Sequence, residues 1–286
     1  SELPDLDFRV WTPDGDDIGD PKDIEYVLTW RPKAGAFKNF PNLKYIFSLG
    51  AGVDHLIGKD LPEKVPVVRL MDPALTRGMS EYVLHWVIHN HRRMGEYIHN
   101  ARKARWKQFP QSDTCIRRIG IMGLGVLGLD AANKLAALEF NVAGWCREPK
   151  KINGIAIFVG QAGLSDFLSR TEILVCLLPL TPKTKGIINS NTLSQLPGGA
   201  TIINPARGGH VIDNDLIQAL DDGHISSAVL DVFHIEPLPN NHPFWNHPKI
   251  TVTPHIASLT APETAAPIVA DNIRRIRAGQ LPQPIV

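Results

Sequence analysis

Three glycines, Gly123, Gly125 and Gly128, stand between the apolar run Ile119–Met122 and a helical stretch that continues through Leu138. This spacing in that setting narrows the fold more than any other feature of the chain. The first glycine permits the tight turn out of a strand, and the second lets a ligand's phosphates approach the backbone. The third lets helix and strand pack closely. The first helical N–H groups, around Val126, Leu127 and Gly128, are left to face an anion. A parallel βαβ unit that cradles a dinucleotide is the expectation.

The rest of the 286-residue chain has the same texture. Short apolar runs alternate with longer amphipathic segments, as in doubly wound α/β folds. Strands are expected at Phe8–Trp11, Glu25–Trp30, Tyr45–Leu49 and Val67–Leu70. A second series is expected at Arg118–Met122, Val142–Trp145, Ile173–Leu178, Ala200–Asn204, Ser227–Asp231 and Ile250–Thr253, with turn residues at the strand ends. Between the two series Ser80 is placed to cap a helix running from Glu81 to about Trp106, and a last helix is expected over Glu263–Ala278. The pattern predicts two Rossmann-like or flavodoxin-like lobes with parallel sheets and an active site in the cleft between them. One lobe is residues 1–79 plus 259–286, for substrate; the other is residues 80–258, for the dinucleotide.

Composition removes several alternatives. Thirty Lys and Arg against 29 Asp and Glu leave a formal charge of +1, which argues against nucleic acid or an anionic membrane as partner. No apolar run reaches the roughly 18 residues of a membrane span. Cys115, Cys146 and Cys176 are scattered, as expected of reduced thiols in a cytoplasmic protein. The acidic start, Ser1 to Asp7, lacks the regions of a signal peptide. His85, His89 and His91 share a stretch of helix but have no carboxylate or cysteine nearby to complete a metal site, so no metal is expected. That helix is instead expected to pack on a neighbour or a second subunit. The cluster Arg102, Lys103, Arg105 and Lys107 reads as a solvated face.

The strand after the glycine loop ends at Cys146, with Arg147 next. A carboxylate at that point grips the adenosine ribose hydroxyls of NAD. Here the position is a neutral thiol followed by a guanidinium, a planar cation suited to a 2′-phosphate. Lys150 and Lys151 add charge. NADP is therefore the expected cofactor and NAD the lesser possibility; in the other reading Arg147 faces solvent, and Glu148 or water serves the ribose.

Chemistry is concentrated in three strand-end segments: Asn204-Pro-Ala-Arg207-Gly208, Asp231-Val-Phe-His-Ile-Glu236-Pro237, and Thr253-Pro-His255-Ile-Ala-Ser258. Reducing a 2-oxo acid needs a cation for the substrate and a proton donor for the developing alkoxide. Histidine titrates near neutrality unaided, and a carboxylate beside it orients the ring and favours its protonated form. Arg207, His255 and Glu236 supply these parts.

Together with Leu49-Gly50-Ala51-Gly52-Val53-Asp54, Trp145-Cys146-Arg147 and Leu177-Leu178-Pro179-Leu180-Thr181-Pro182, these motifs resemble the D-isomer-specific 2-hydroxyacid dehydrogenase family, in particular its glyoxylate/hydroxypyruvate reductase A branch. The resemblance covers nearly the whole chain. It implies that His255 is the acid/base, Glu236 its partner and Arg207 the holder of the substrate's carboxylate and carbonyl. It also implies that Ala51, Gly52 and Val53 offer backbone N–H groups to that carboxylate, with Trp30 and Arg69 lining the pocket. Asp231 would lie near the nicotinamide carboxamide, and Leu178 and Pro179 along the cofactor. Family members begin with a strand and helix ahead of the segment corresponding to Phe8–Trp11, so a trimmed sequence or a lost βα unit is expected here. The implied activity is reduction of a glyoxylate- or hydroxypyruvate-class acid, and the long helix from Glu81 makes a homodimer the expectation. The rival readings are a same-fold dehydrogenase for another substrate, such as phosphite or formate, and a non-catalytic nucleotide sensor. Formate has no carbonyl to protonate, and formate dehydrogenases of the family lack the Glu–His pair, so Glu236 argues against it.

Overall fold

The computed structural model describes residues 2–11, 18–30, 32–33, 35–53, 56 and 61–285. In chain order the elements are β1 (Tyr26–Thr29), β2 (Tyr45–Ser48), β3 (Val67–Val68), α1 (Pro73–His91), α2 (Met94–Arg102), β4 (Arg118–Met122), α3 (Val126–Ala137), β5 (Asn141–Cys146) and β6 (Ala156–Val159). Then come α4 (Leu164–Ser169), β7 (Ile173–Cys176), α5 (Ser190–Leu193), β8 (Ala200–Asn204), α6 (Asp213–Asp221), β9 (Ile225–Leu230), β10 (Ile250–Val252) and α7 (Pro262–Arg277). The chain divides into two compact units, Ser1–Leu75 with Leu259–Val286, and Thr76–Ser258.

In the first unit β1, β2 and β3 form a parallel sheet in that order. Strand side chains alternate between faces, and β2 shows it. Ile46 packs with Phe37, Phe40, Leu43 and Val67 on one side. Phe47 packs with Val68 and Ile273 of α7 on the other. The chain's last residues run antiparallel to β3, with a bridge from Val68 to Ile285 and the Arg69 amide donating to Pro284 O at 3.1 Å. The expected strand Phe8–Trp11 does not form. Its residues join no ladder, Phe8 is 70% exposed, and the Arg9 guanidinium instead ties the segment to Asp7, Asp23 and the Ile18 carbonyl.

The second unit is built on a seven-stranded parallel sheet in the order β10-β9-β8-β7-β4-β5-β6. Strands covered on both faces read as continuous apolar runs; all four residues of β7 and all five of β8 are buried. Ile119, Ile121, Val175 and Ile203 pack under α1 and α3 with Val83, Val87, Ala131 and Leu135. Met122, Leu174, Cys176 and Ile202 face the opposite layer with Phe167, Leu168, Leu216 and Leu220. The chain leaves β4 toward β5 and β6, then returns to add β7 through β10 on the other side. The order reverses at β4, and in open α/β sheets ligands bind outside the carboxyl strand ends at such a point.

Two expectations are corrected here. The helix containing Ser80 starts earlier, at Pro73, where proline's fixed φ suits a first turn and Asp72 Oδ1 accepts from the Ala74 amide at 2.7 Å. Ser80 is buried inside α1, and its hydroxyl goes to Asp130 of α3 at 2.5 Å. The helical run to Trp106 is also broken, since Arg93 adopts a left-handed φ of 56° between α1 and α2. β6 was not anticipated, although the Asn153-Gly154 turn before the apolar Ile155–Val159 carries its signal. Among the described residues no helix is long and apolar enough to cross a membrane.

Candidate active site

At the carboxyl end of β4 the three glycines meet three different demands. Gly123 has a φ of 98°, and a Cβ there would lie 2.6 Å from Leu177 O. A Cβ on Gly128 would lie 1.9 Å from Gly123 O, a backbone atom that cannot yield. Gly125 has nothing within 4 Å of that position; it is the N-cap of α3, with no side-chain cap bond. The open side of Gly125 and the first-turn N–H groups of Val126, Leu127 and Gly128, which a helix cannot satisfy internally, fit a pyrophosphate. Beyond β7, Leu178 is buried and Pro179 is exposed, its carbonyl accepting from Thr184 Oγ1 at 2.7 Å.

At the end of β5 the Cys146 thiol is buried and donates to Glu148 O at 3.0 Å, and burial pushes its pKa up, so it is neutral. Arg147 is 88% exposed and pairs with the Glu148 carboxylate at 3.0 Å. Lys150, expected only to add charge, donates through Nζ to Leu124 O inside the glycine loop at 2.7 Å. A cation is thereby tethered beside that loop.

The segment that carries His255 follows β10. His255 has a φ of 54°, a left-handed conformation that costs a residue with a Cβ about 1–2 kcal/mol. Asp231, at the end of β9, holds it there. The Asp231 carbonyl accepts from the His255 amide at 2.8 Å. Its fully buried carboxylate accepts from Thr253 Oγ1 at 2.6 Å and from the Ile256 and Ala257 amides at 2.9 and 2.8 Å. Burial pushes this carboxyl upward, and the bonds from Thr253, Ile256 and Ala257 pull against it. Because Thr253 donates to Asp231, its oxygen accepts from Tyr82 of α1 at 2.7 Å, which extends the chain of bonds. Burial raises the Tyr82 phenol as well.

His255 Nδ1 lies 2.8 Å from Glu236 Oε2, and Glu236 Oε1 accepts from the Phe233 amide at 2.9 Å. With Nδ1 on the carboxylate, Nε2 is the ring nitrogen that can serve a substrate. Arg207 stands after β8, its Nη1 on Ala206 O at 2.7 Å. Its backbone is fixed by fully buried Asn204, whose amide donates to Arg207 O and accepts from the Ala206 amide. At Gly208 a Cβ would lie 2.0 Å from the Phe233 carbonyl carbon and 2.4 Å from the His234 nitrogen. The Arg207 and Glu236 segments thus touch backbone to backbone.

In the first unit the Trp30 indole lies over Gly50, where a Cβ would be 2.1 Å from the ring. Half-buried Ala51, Gly52 and Val53 follow, while Ser48 Oγ accepts from the Gly50 amide and Thr260 Oγ1 donates to Leu49 O. Arg69 is half-buried. Asp54 lies outside the described residues. On α1 the His85 and His89 ring centroids are 6.0 Å apart, and His91 packs edge-on against Phe140. Among the described residues no three His, Cys, Asp or Glu side chains gather as a metal site.

The second unit therefore joins Arg207, Glu236, His255 and Asp231 at one sheet edge. The first unit joins Trp30 to the segment preceding Ala51. Sequence reasoning missed Tyr82, Asn204 and Lys150 as supports. Only Asn204 had a local signal, its place two residues before Ala206 at a strand end.

Comparison with known proteins places the chain in a family. Residues 84–257 match the model of the D-isomer specific 2-hydroxyacid dehydrogenase NAD binding domain. Glyoxylate/hydroxypyruvate reductase A of Serratia proteamaculans is 42% identical, over 99% of this chain and 91% of its own length. Its namesake in Photorhabdus laumondii is 43% identical over the same shares. Among solved structures, a D-isomer specific 2-hydroxyacid dehydrogenase from Xanthobacter autotrophicus, in complex with NADPH and MES, is 44% identical. It superimposes with a TM-score of 0.94 over 100% of this chain and 91% of its own. The NADPH-dependent glyoxylate/hydroxypyruvate reductase of Sinorhizobium meliloti, in complex with NADP and sulfate, is 39% identical with a TM-score of 0.88, over 92% of this chain and 84% of its own. Motifs, sheet order and near-full-length similarity agree: the chain belongs to the D-isomer specific 2-hydroxyacid dehydrogenase family.

Proposed function

We propose that the chain reduces a small 2-oxo acid of the glyoxylate or hydroxypyruvate class to its 2-hydroxy acid, with NADPH as the preferred cofactor. The observation that carries this reading is the 2.8 Å contact between His255 Nδ1 and Glu236, on a segment touching the one that bears Arg207. Reduced nicotinamide dinucleotide, when bound, supplies the hydride for the substrate's carbonyl carbon. His255, oriented by Glu236, delivers a proton from Nε2 to the carbonyl oxygen. Arg207 holds the substrate carboxylate with its planar fork. We assign the backbone N–H groups of Ala51, Gly52 and Val53 to the same carboxylate, and Trp30 and Arg69 to the substrate's outer side. The domain that carries the dinucleotide is then residues 80–258, with residues 1–79 and 259–286 serving substrate. Its first glycine turn, with Leu178 and Pro179, takes the cofactor. Asp231 acts on it through the loop it buckles.

The test follows absorbance at the nicotinamide band with a panel of 2-oxo acids and both cofactors. Reduction of glyoxylate or hydroxypyruvate is the expected result, with Arg207→Lys raising KM and lowering kcat because the charge remains but the fork is lost. Binding of NADPH with no turnover of any 2-oxo acid would favour a nucleotide sensor instead, and activity on phosphite alone a different dehydrogenase.

The cofactor preference rests on neutral Cys146, on Arg147 beside it and on Lys150 at the glycine loop, with relatives solved holding NADPH or NADP in support. A charge-assisted bond to a 2′-phosphate is worth about 1.5–3 kcal/mol, but Arg147 is exposed and shared with Glu148, so screening trims it. NADPH is expected to exceed NADH in kcat/KM by about tenfold or more, and Arg147→Ala to erode that ratio through the KM for NADPH. Equal efficiency with NADH in the unmutated protein would overturn the preference. We further read the protein as cytoplasmic, on the strength of its scattered cysteines, and as a homodimer, on the strength of the long helix α1; sedimentation at twice the chain mass supports the dimer, and at the single mass refutes it.

A further inference from the structure

Glu236 sits on a stretch, residues 231–242, that carries no helix or ladder, yet its carboxylate has to meet His255 within hydrogen-bond reach. Two histidines on this stretch, one before Glu236 and one after it, turn toward a single carboxylate. His234 Nε2 lies 3.0 Å from Val211 O and 3.3 Å from Asp213 Oδ1. Both neighbours are acceptors, so Nε2 carries the ring's hydrogen. His242 Nδ1 accepts from the Phe244 amide at 3.3 Å, which places its hydrogen on Nε2. That nitrogen lies 3.4 Å from Asp213 Oδ2. The His234 N–H therefore goes to Val211 O with Asp213 Oδ1 close beside it, and His242 Nε2 lies within ion-pair distance of Asp213 Oδ2, so both limbs of the loop meet the same side chain.

Asp213 is the first residue of α6, where the helix dipole favours a negative charge. The chain reaches it from Arg207 through the short turn Gly208–His210. The ring of His242 is held edge-on to buried Phe244 at 4.5 Å, so the far limb has a rigid anchor.

We propose that Asp213 is a positioning residue: by holding His234 and His242, it sets the Glu236 carboxylate against His255 and keeps that pair in register with the Arg207 segment. This rests on the acid–base reading of His255 given above. Asp213→Asn keeps the size of the side chain but presents an amide donor to one of two imidazole N–H groups, which releases one limb. Asp213→Glu retains both acceptor oxygens.

The experiment compares the unmutated protein, Asp213→Asn and Asp213→Glu in steady-state kinetics across pH, with NADPH binding followed by its fluorescence. Asp213→Asn is expected to lower kcat about 10- to 100-fold, the scale of a misplaced catalytic group. NADPH dissociation should stay within about twofold, and the alkaline limb of the pH–rate profile should move to lower pH, because Glu236 no longer supports the protonated ring. Asp213→Glu should recover most of kcat. Unchanged kcat and limb in Asp213→Asn, parallel losses of NADPH affinity and kcat, or no recovery in Asp213→Glu would each overturn the proposal. If Asp213→Asn does not fold, His242→Gln and His242→Leu decide instead. Glutamine keeps an N–H donor and should keep kcat, while leucine should lose it, and equal kcat in the two refutes the clamp. If the unmutated protein reduces no 2-oxo acid, the acid–base reading fails by itself. The clamp is then judged on the crystal structure of Asp213→Asn, where a preserved 2.8 Å contact between Glu236 and His255 refutes it and a broken one supports it.

Discussion

Replacing His255 by alanine lowers kcat for 2-oxo acid reduction by about 10²–10⁴-fold, the usual worth of a positioned general acid. NADPH affinity is retained, because the glycine loop proposed to receive the phosphates is built from β4 and α3 and owes nothing to this side chain. The size of the loss follows from how much structure is committed to one imidazole. Its backbone is held in a left-handed turn by Asp231, and its Nδ1 is held by Glu236 at 2.8 Å. A companion variant, Glu236→Gln, keeps a hydrogen-bonding group but removes the charge. The carboxylate favours the protonated ring, so without it the proton is lost at lower pH and the alkaline limb of the pH–rate profile retreats in that direction. Full activity in His255→Ala, measured with saturating NADPH, would remove His255 from the mechanism.

Gly208→Ala is the second large effect. The added methyl would stand 2.0 Å from the Phe233 carbonyl carbon and 2.4 Å from both the Phe233 oxygen and the His234 nitrogen. All three are backbone atoms, so no side chain can rotate away, and one segment has to retreat by roughly 1 Å or more. Displacement on that scale at a catalytic group costs about 100-fold, and here it parts Arg207 from Glu236. Overpacking of this kind also destabilises by about 1–3 kcal/mol, which in a chain of this size lowers Tm by several degrees. The two readouts together identify the cause. A large fall in kcat/KM, a modest fall in Tm and unchanged NADPH binding are expected, and wild-type kinetics in Gly208→Ala would refute the close approach.

How far the residues themselves disclosed this arrangement depends on distance along the chain. Arg118–Met122 and Ala200–Asn204 were legible to the residue, because a strand buried on both faces is a mostly apolar run closed by turn residues. The glycine loop was legible for a similar reason, since three backbone constraints fall within six positions. Ser80 misled because a hydroxyl before an apolar run looks like a cap, whereas its partner, Asp130, lies 50 residues away. Phe8–Trp11 misled because alternation suggests a strand but cannot supply a neighbour to pair with. The pairing of Glu236 with His255 was inferred from chemistry and is present across 19 residues. Nothing local announced that Asp231 would spend both carboxylate oxygens on the loop that carries His255, or that Arg147 would turn to Glu148 while Lys150 reached back 26 residues to Leu124.

The strand order has a further consequence. Cys146, Arg147 and Lys150 hang from β5, on one side of β4, whereas Arg207, Glu236 and His255 follow β8, β9 and β10 on the other. Substitutions at sites with no shared partners combine almost additively. On the assignments proposed above, a lineage carrying this sheet can therefore exchange one electron donor for the other by a handful of changes near β5 and keep its proton chemistry intact. The same holds in reverse: the proton chemistry proposed for Arg207, Glu236 and His255 can be retuned at the far strands without reopening the question of which coenzyme pool the enzyme draws on. Heritable variation in the two traits is separable because β4 stands between them.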